Sequence, residues 1–458
     1  MSLRGGFGTL IWMKKPVIIV SLVVFLLATF LIVFARNNGF KSCELETDKV
    51  CFDSELKQYA IEENAMLTFE VNSSEYGEAI KQLWSTVHPE ANAISYSLKG
   101  ESISSDLVYL TQNDAALKYD SLYLIDENSI NNTPLISAEL NLDGIRYLPL
   151  VGEGFAFITN KTELERLGNA WVDANSNNLH DSFESYASIL NAQAIWQTDK
   201  RKLVLSLSEP FTLYPLFTSN GWKLFEEYTS YYPGFEKETF LDALKFIKVL
   251  ADVNWNQTET NDASNYTWDY PNVLFDDNFV FSQVSSWMYF EEMDLKHQSD
   301  WVISAFPKAS AESTNALHPM LTEVEGYSIN INTMYPSAAH ELMRLIYSID
   351  GLQAKLDNEK IIVLSNKESL DVLDFKNTYL KQFSYAFLES QSEPLVAVED
   401  YPHQLAIRLY YDIDIESSIQ RLWNNEITPE EAQIEIVLKA DQWIIEKSKL
   451  FEGKINYE

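Results

Sequence analysis

One segment of the chain has the oxygen spacing of a cation-binding loop. In Asp173-Ala-Asn-Ser-Asn-Asn-Leu-His-Asp-Ser-Phe-Glu184, oxygen-bearing side chains stand at the first, third, fifth and ninth places, and a glutamate closes the span. By this arrangement a twelve-residue loop wraps one hard cation such as calcium. Asp173, Asn175, Asn177, Asp181 and Glu184 would supply side-chain oxygens, and Leu179 its carbonyl. Asn178 takes the place usual for glycine, and asparagine tolerates the left-handed backbone needed there. The competing reading is an Asx-rich turn capping a helix that begins near Ser182. A structural calcium ion is therefore expected, and no cofactor for chemistry.

The usual catalytic constellations are missing. No HExxH, GxSxG, CxxC or phosphate-cradling glycine loop occurs, and Gly152-Glu-Gly154 is too short for one. The six histidines, His88, His180, His297, His318, His340 and His403, are scattered, and a lone histidine is more often a surface residue than a base. A pair of glycosidase carboxylates is indistinguishable by counting from chance pairs among 67 acidic residues. The reading is a binder rather than an enzyme, with a secreted glycoside hydrolase as the alternative.

A formal net charge of -33 over 458 residues repels phosphate backbones and anionic lipid headgroups. Nucleic acid is thus excluded as a partner. From Pro16 to Ala35 the sequence is uncharged and apolar, and about twenty residues rising 1.5 Å each match a bilayer's hydrocarbon core. Lys14 and Lys15 precede the run while Glu44, Glu46 and Asp48 follow it, which puts the N-terminus in the cytoplasm and the body outside. An uncleaved anchor is favoured over a signal segment cut after Ala35. Cys43 lacks the small, apolar neighbours of a lipidation site, and with Cys51 it either closes a small disulfide loop or remains a free thiol.

The elements that would position a site follow from hydrophobic periodicity. Residues 1–36 form tail and anchor, and the polar stretch 37–60 forms a stalk. Strands are expected at Met66–Val71, Ala93–Ser97, Ser105–Leu110 and Lys202–Leu207, with a helix through Ala79–Trp84 between the first two. Amphipathic helical stretches cover Lys237–Asp252 and Ser337–Leu356, and the chain is helical from Ile413. Alternating strands and helices predict parallel βαβ units, an α/β fold that binds ligands beyond the carboxyl ends of its strands.

Several segments then resemble a known family in order. Leu207-Ser-Glu-Pro-Phe-Thr-Leu-Tyr-Pro-Leu216 resembles the Glu-Pro-aromatic segment of maltodextrin-binding proteins, and Ser105-Asp-Leu-Val-Tyr-Leu110 their Pro-Asp-hydrophobic strand. Leu148-Pro-Leu-Val-Gly-Glu-Gly-Phe-Ala-Phe-Ile-Thr-Asn-Lys161 resembles their crossover strand, Val284-Ser-Ser-Trp-Met-Tyr289 their aromatic wall, and Ile427-Thr-Pro-Glu-Glu-Ala432 the start of their closing helix. The family is that of the family 1 extracellular solute-binding proteins of ABC importers.

The resemblance implies a two-lobed periplasmic-binding-protein-like fold over 61–450, each lobe a sheet flanked by helices, with a hinged cleft between them. Lobe 1 would take about 60–152 and 304–355, and lobe 2 about 156–302 and 358–450. It further implies a monomeric receptor that passes a maltodextrin-like sugar to ABC permease subunits. In the cleft, Glu153 and Glu209 would accept sugar hydroxyls, and Phe211 and Trp287 would offer flat apolar faces. Asn72, Gln112 and Asn113 would be polar loop contacts. The chain departs from the family where Leu110 replaces a tryptophan, where Asn113-Asp114 and Ser74-Glu75 replace charged pairs, and where Arg408 replaces an aromatic near Tyr410 and Tyr411. Maltose itself is therefore a poor fit, and a surface adhesin or sensory module remains a further alternative.

Overall fold

The computed structural model describes residues 50–100, 105–126, 128, 144–207, 210–225, 233–254, 274, 276–288, 300–313, 317–390, 393–394 and 409–452. The apolar run 16–35 and most of the expected stalk lie outside them. Among the described residues no helix is long and apolar enough to cross a membrane.

The chain is anchored to its first lobe earlier than the sequence suggested. Residues up to 60 read as stalk, yet β1 (Phe52–Asp53) and β2 (Gln58–Tyr59) pair as a small antiparallel hairpin, and Tyr59 is buried. Cys51 is disulfide-bonded, and Cys43 is the only other cysteine in the sequence. The segment 50–62 was unreadable by periodicity because side chains far along the chain hold it. Glu62 accepts from the amides of Ser337 and Ala338 at 2.7 and 2.8 Å, satisfying donors that a helix start leaves open. The Tyr59 amide donates to the buried Glu341 at 2.8 Å, and His88 and Arg344 close on the same carboxylate at 2.9 and 2.5 Å.

The first lobe is then built as expected. β3 (Thr68–Val71) is followed by α1 (Ser74–Val87), whose N-cap Ser73 accepts from the Tyr76 amide and whose Tyr76, Ile80 and Trp84 are buried on one face. β4 (Ser95–Leu98) and β5 (Leu107–Thr111) both pair parallel with β3. The short α2 (Gln112–Leu117) follows β5.

β6 (Leu148–Asn160) joins the lobes. The second lobe contains α3 (Lys161–Arg166), α4 (Tyr186–Gln193), β7 (Arg201–Val204), α5 (Pro210–Phe217), α6 (Glu238–Asn254), β8 (Phe279–Ser285) and β9 (Trp301–Ser304). The chain returns through β10 (Met320–Ile329) to α7 (Pro336–Ile346) and α8 (Ile349–Asn358). The stretch Ser337–Leu356, expected as one amphipathic run, is thus two helices. Ser348 caps the second by accepting from the Gly351 amide, and a Cβ at Gly351 would fall 2.3 Å from two carbonyl oxygens of the first.

A third crossing follows, in which the Leu364 amide donates to Leu150 O at 2.9 Å and the Gly152 amide to Ile362 O at 3.1 Å. The chain ends with α9 (Lys367–Val372), α10 (Thr378–Glu389), the two-residue β11 (Glu393–Pro394), α11 (Ile415–Trp423) and α12 (Pro429–Glu452). The sheet order is β4-β3-β5-β10-β6-β8-β7, with β9 also on β6 and β11 on β10. Each lobe has its own apolar core, and a third cluster at the junction packs Phe383 and Phe387 of α10 against Val324, Ile362 and Leu364 of the crossings.

Burial alone would raise the proton affinity of Glu341, but Arg344 and His88 hold it below the ordinary carboxylate range. Its contribution is therefore present above the ordinary glutamate pKa and lost as pH falls. Glu341→Ala is expected to cost about 3 kcal/mol by stranding buried partners. It should lower the thermal midpoint at neutral pH, with the gap to the parent protein shrinking on acidification.

Candidate ligand cleft

The crossing strands form the floor of the space between the lobes. β6 is thirteen residues long, enough to serve both sheets. Leu148–Gly154 pair with β10, and Phe155–Asn160 with β8 and β9. Across the first pairing Glu153 stands opposite Glu323, and Glu325 stands opposite Val151 on one side and Thr111 of β5 on the other. Alternation along β10 turns Glu323 and Glu325 to the same face. Register shifts at Leu321/Glu323 and at Glu325/Gly326 isolate this short regular piece. At the second shift glycine is required, since a Cβ on Gly326 would lie 1.9 Å from Leu148 O. Such irregularities re-aim side chains next to sites.

Loops beyond the lobe 1 strands meet this floor. Asn72, just past β3, donates to Glu325 Oε2 at 3.0 Å, and Lys99, just past β4, reaches Oε1 at 2.5 Å. Ser73 donates to Glu359 Oε1 at 2.8 Å, and Glu359 pairs with the buried Lys355 at 2.7 Å. From the second lobe, Ser286 exchanges two hydrogen bonds with Gly154: its amide donates to the carbonyl at 2.9 Å, and its hydroxyl accepts from the amide at 3.0 Å. A recess of about 120 Å³ results, lined by Glu153, Glu323, Glu325, Ser286 and Lys360. Glu153 is itself exposed, and partial desolvation by the surrounding strands first, then the Glu323 and Glu325 charges, raise its proton affinity.

The residues singled out from sequence fall as follows. Glu153 and Asn72 are at this floor. Trp287 follows Ser286 directly, is 43% exposed, and meets Phe155 edge-on at 5.0 Å, so a face of the indole remains open. Phe211, half-buried on α5, packs at 4.7 Å against Tyr411, so it shares the bland role of core filler with any ligand role. Gln112, at the start of α2, is 5% exposed, and Asn113 follows it in that helix. Glu209 lies outside the described residues. Sequence reading missed Lys99, Ser286, Glu323 and Glu325. The alternating Thr322-Glu-Val-Glu325 is a visible signal for two carboxylates on one strand face, whereas the ion pair with Lys99 has no local signature.

The loop 173–184 sits on the second lobe, pinned by the buried Leu179 and Phe183. Asn178 adopts φ 62°, the left-handed conformation anticipated for it. Asp173 accepts from the amides of Asn177 and Asn178 at 3.1 and 3.0 Å, and Asp181 from the amide of Ala174 at 3.0 Å. Asn175 and Asn177 both reach Glu184 Oε1, at 2.5 and 3.5 Å. Side chains from the third and fifth places thus meet the last through their amide nitrogens, while the first caps backbone amides of the loop. Among the described residues no group of three or more His, Cys, Asp or Glu could hold a metal by itself, so any cation here would need the amide and carbonyl oxygens as well.

The Glu153 and Glu323 juxtaposition is open to direct measurement. In an NMR titration Glu153 should protonate above the ordinary glutamate range, and Glu323→Gln should move it back down by removing a neighbouring like charge. An unchanged midpoint would mean that the two side chains do not face one another.

No family model and no curated protein sequence matches the chain. Solved structures do. An extracellular solute-binding protein from Staphylococcus aureus, in complex with maltose, aligns with a TM-score of 0.60 at 15% identity over 83% of this chain and 98% of its own. A cyclo/maltodextrin-binding protein complexed with maltotetraose gives a TM-score of 0.61 at 14% identity over 84% of this chain and 98% of its own. Both neighbours are binding proteins rather than enzymes. The likeness is one of fold, and it agrees with the order of motifs along the sequence: this chain has the two-lobed α/β fold of the extracellular solute-binding proteins.

Proposed function

We propose that the protein is an extracellular receptor that binds a carbohydrate in the cleft between its lobes and delivers it to the permease of an ABC importer. The observation that carries this reading is the cleft floor itself. Carboxylates on strands shared by both lobes stand beside Ser286, and the exposed Trp287 follows Ser286 in the chain, so acceptors and an aromatic platform of the kind suited to a polyol ring come from one short stretch of the crossings. The solved neighbours of the same fold were crystallised with maltose and maltotetraose. The apolar run Pro16–Ala35 supports attachment to the outer face of a membrane, where a receptor meets its permease.

The calcium loop belongs to the same proposal. Its left-handed Asn178 and the twelve-residue spacing of its oxygen-bearing side chains support a structural ion that braces lobe 2 and takes no part in solute binding.

Titrating the full-length protein with a panel of oligosaccharides, followed by tryptophan fluorescence with a product check, tests the receptor reading. At least one sugar should bind without being cleaved, and Trp287→Ala should weaken it about tenfold, the scale of one lost stacking contact. Hydrolysis, or indifference to Trp287→Ala, would overturn the reading. Calcium is tested separately by a thermal scan. A chelator should lower the midpoint of the parent protein, by linkage of binding to stability, and leave Asp173→Ala unaffected. A parent midpoint that ignores the chelator would remove the metal from the account.

A further inference from the structure

The N-terminal segment joins lobe 1 beside an apolar groove. Val50 lines this groove of about 490 Å³ together with Tyr123, Leu124, Ile125, Arg146 and Ile331. Leu124 is 49% exposed, Ile331 44%, and Met334, three residues further on, 75%. The two segments that carry them are fixed side by side, since the Tyr123 amide donates to Ile329 O at 2.7 Å and the Ile331 amide to Ser121 O at 3.0 Å. The apolar side chains are thus presented by a paired edge. The charged groups at the groove are turned to the protein: Asp126 accepts from the Tyr59 hydroxyl at 2.7 Å, and Arg146 donates to Leu122 O at 2.5 Å. Single exposed aliphatic side chains occur elsewhere, as at Ile195, and need no partner. Here they share a groove with the point at which the chain enters the lobe.

That entry point lies on a short lead. Cys43 stands eight positions after Ala35, where the apolar run ends. Cys51 is disulfide-bonded, and Cys43 is the only other cysteine in the sequence. A bond between them bypasses residues 44–50, so the path from the run to the lobe is at most about 28 Å of chain, at about 3.5 Å per residue, and about 6 Å across the disulfide. A globular body of about 400 residues is about 55 Å across. With the run in a bilayer, the face around Val50 is held nearest to the lipid, and the far side of the body does not reach it.

We infer that this face of lobe 1 rests on the outer surface of the bilayer that holds the apolar run, with Leu124, Ile331 and Met334 seated among zwitterionic headgroups. The formal charge of -33 disfavours anionic lipid, so the contact is apolar in origin and scales with the aliphatic area buried. The inference rests on the membrane attachment proposed above and is independent of the solute.

Full-length protein reconstituted into phosphatidylcholine vesicles tests attachment and face separately. Flotation with the vesicles through a density gradient reports attachment. A photoreactive side chain reports the face: Met334→benzoylphenylalanine should form at least about tenfold more lipid adduct on illumination than Ile195→benzoylphenylalanine, a comparably exposed position on lobe 2. Adding Leu124→Asp and Ile331→Asp to the first variant should lower its lipid adduct about tenfold, with the thermal midpoint confirming a folded domain. Equal labelling from the two positions, or adduct indifferent to the two aspartates, overturns the face and leaves the attachment standing. Cross-linking of position 334 to a second copy of the chain in place of lipid overturns it in favour of a protein partner. Protein that does not float with the vesicles overturns the inference at its base, while sugar titration of the same preparation reports separately on the receptor reading.

Discussion

The pairing of β6 with β10 is the constraint on which the rest of the molecule depends. These strands are the sequence-distant segments that pass between the lobes, and their pairing, broken by two register shifts, carries on into β5 on one side and β8 on the other. A single ladder thus sets the position of each lobe relative to the other, and it also sets the place of the ligand floor. Because side chains alternate along a strand, a slip of β10 by one residue in this register would turn Glu323 and Glu325 away from the recess, to the face that packs on α10. The apolar cluster of Val324, Ile362, Leu364, Phe383 and Phe387 on the opposite face resists such a slip.

Attached to this ladder is a polar linkage that couples the lobe 1 loops to the crossings. Asn72 and Lys99 reach Glu325 on β10, and Ser73 reaches Glu359 at the start of the third crossing. Glu359 in turn pairs with Lys355, whose ammonium is fully buried and lies 4.4 and 4.9 Å from the Tyr76 and Tyr109 ring centres. Burial pulls the proton affinity of that lysine down, and Glu359 opposes the shift. A buried cation of this kind is tolerated only while its partner stays in place. The loop after β3 is therefore tied to the crossing at its far end.

The fold elements around the candidate cleft were partly legible in the sequence, and the differences have physical causes. The β3–α1–β4 unit was readable because Thr68–Val71 and the Tyr76, Ile80, Trp84 spacing are local patterns. Glu153 and Trp287 were singled out through motif order, which holds regardless of the residues between. Lys99 was invisible because nothing near it in the chain predicts that Glu325 is its partner. The hairpin at 52–59 was mistaken for stalk because its stability comes from Glu341, Ser337 and Asp126, none of them neighbours in sequence. The break at Ser348 was missed because a serine within an amphipathic run can be either a cap or a solvated face.

By itself, the sequence determined the alternation of strands and helices, the acidity of the surface, the apolar run at the N-terminus, and the presence of a carboxylate and an indole at family-like positions. All of these depend on residue type and short spacing. Only the tertiary structure decided which carboxylates face one another, which of them are neutralised, and where the chain's first described segment is held. Those are properties of register and of contacts between distant residues, and a cross-strand pairing has no expression in the local order of side chains.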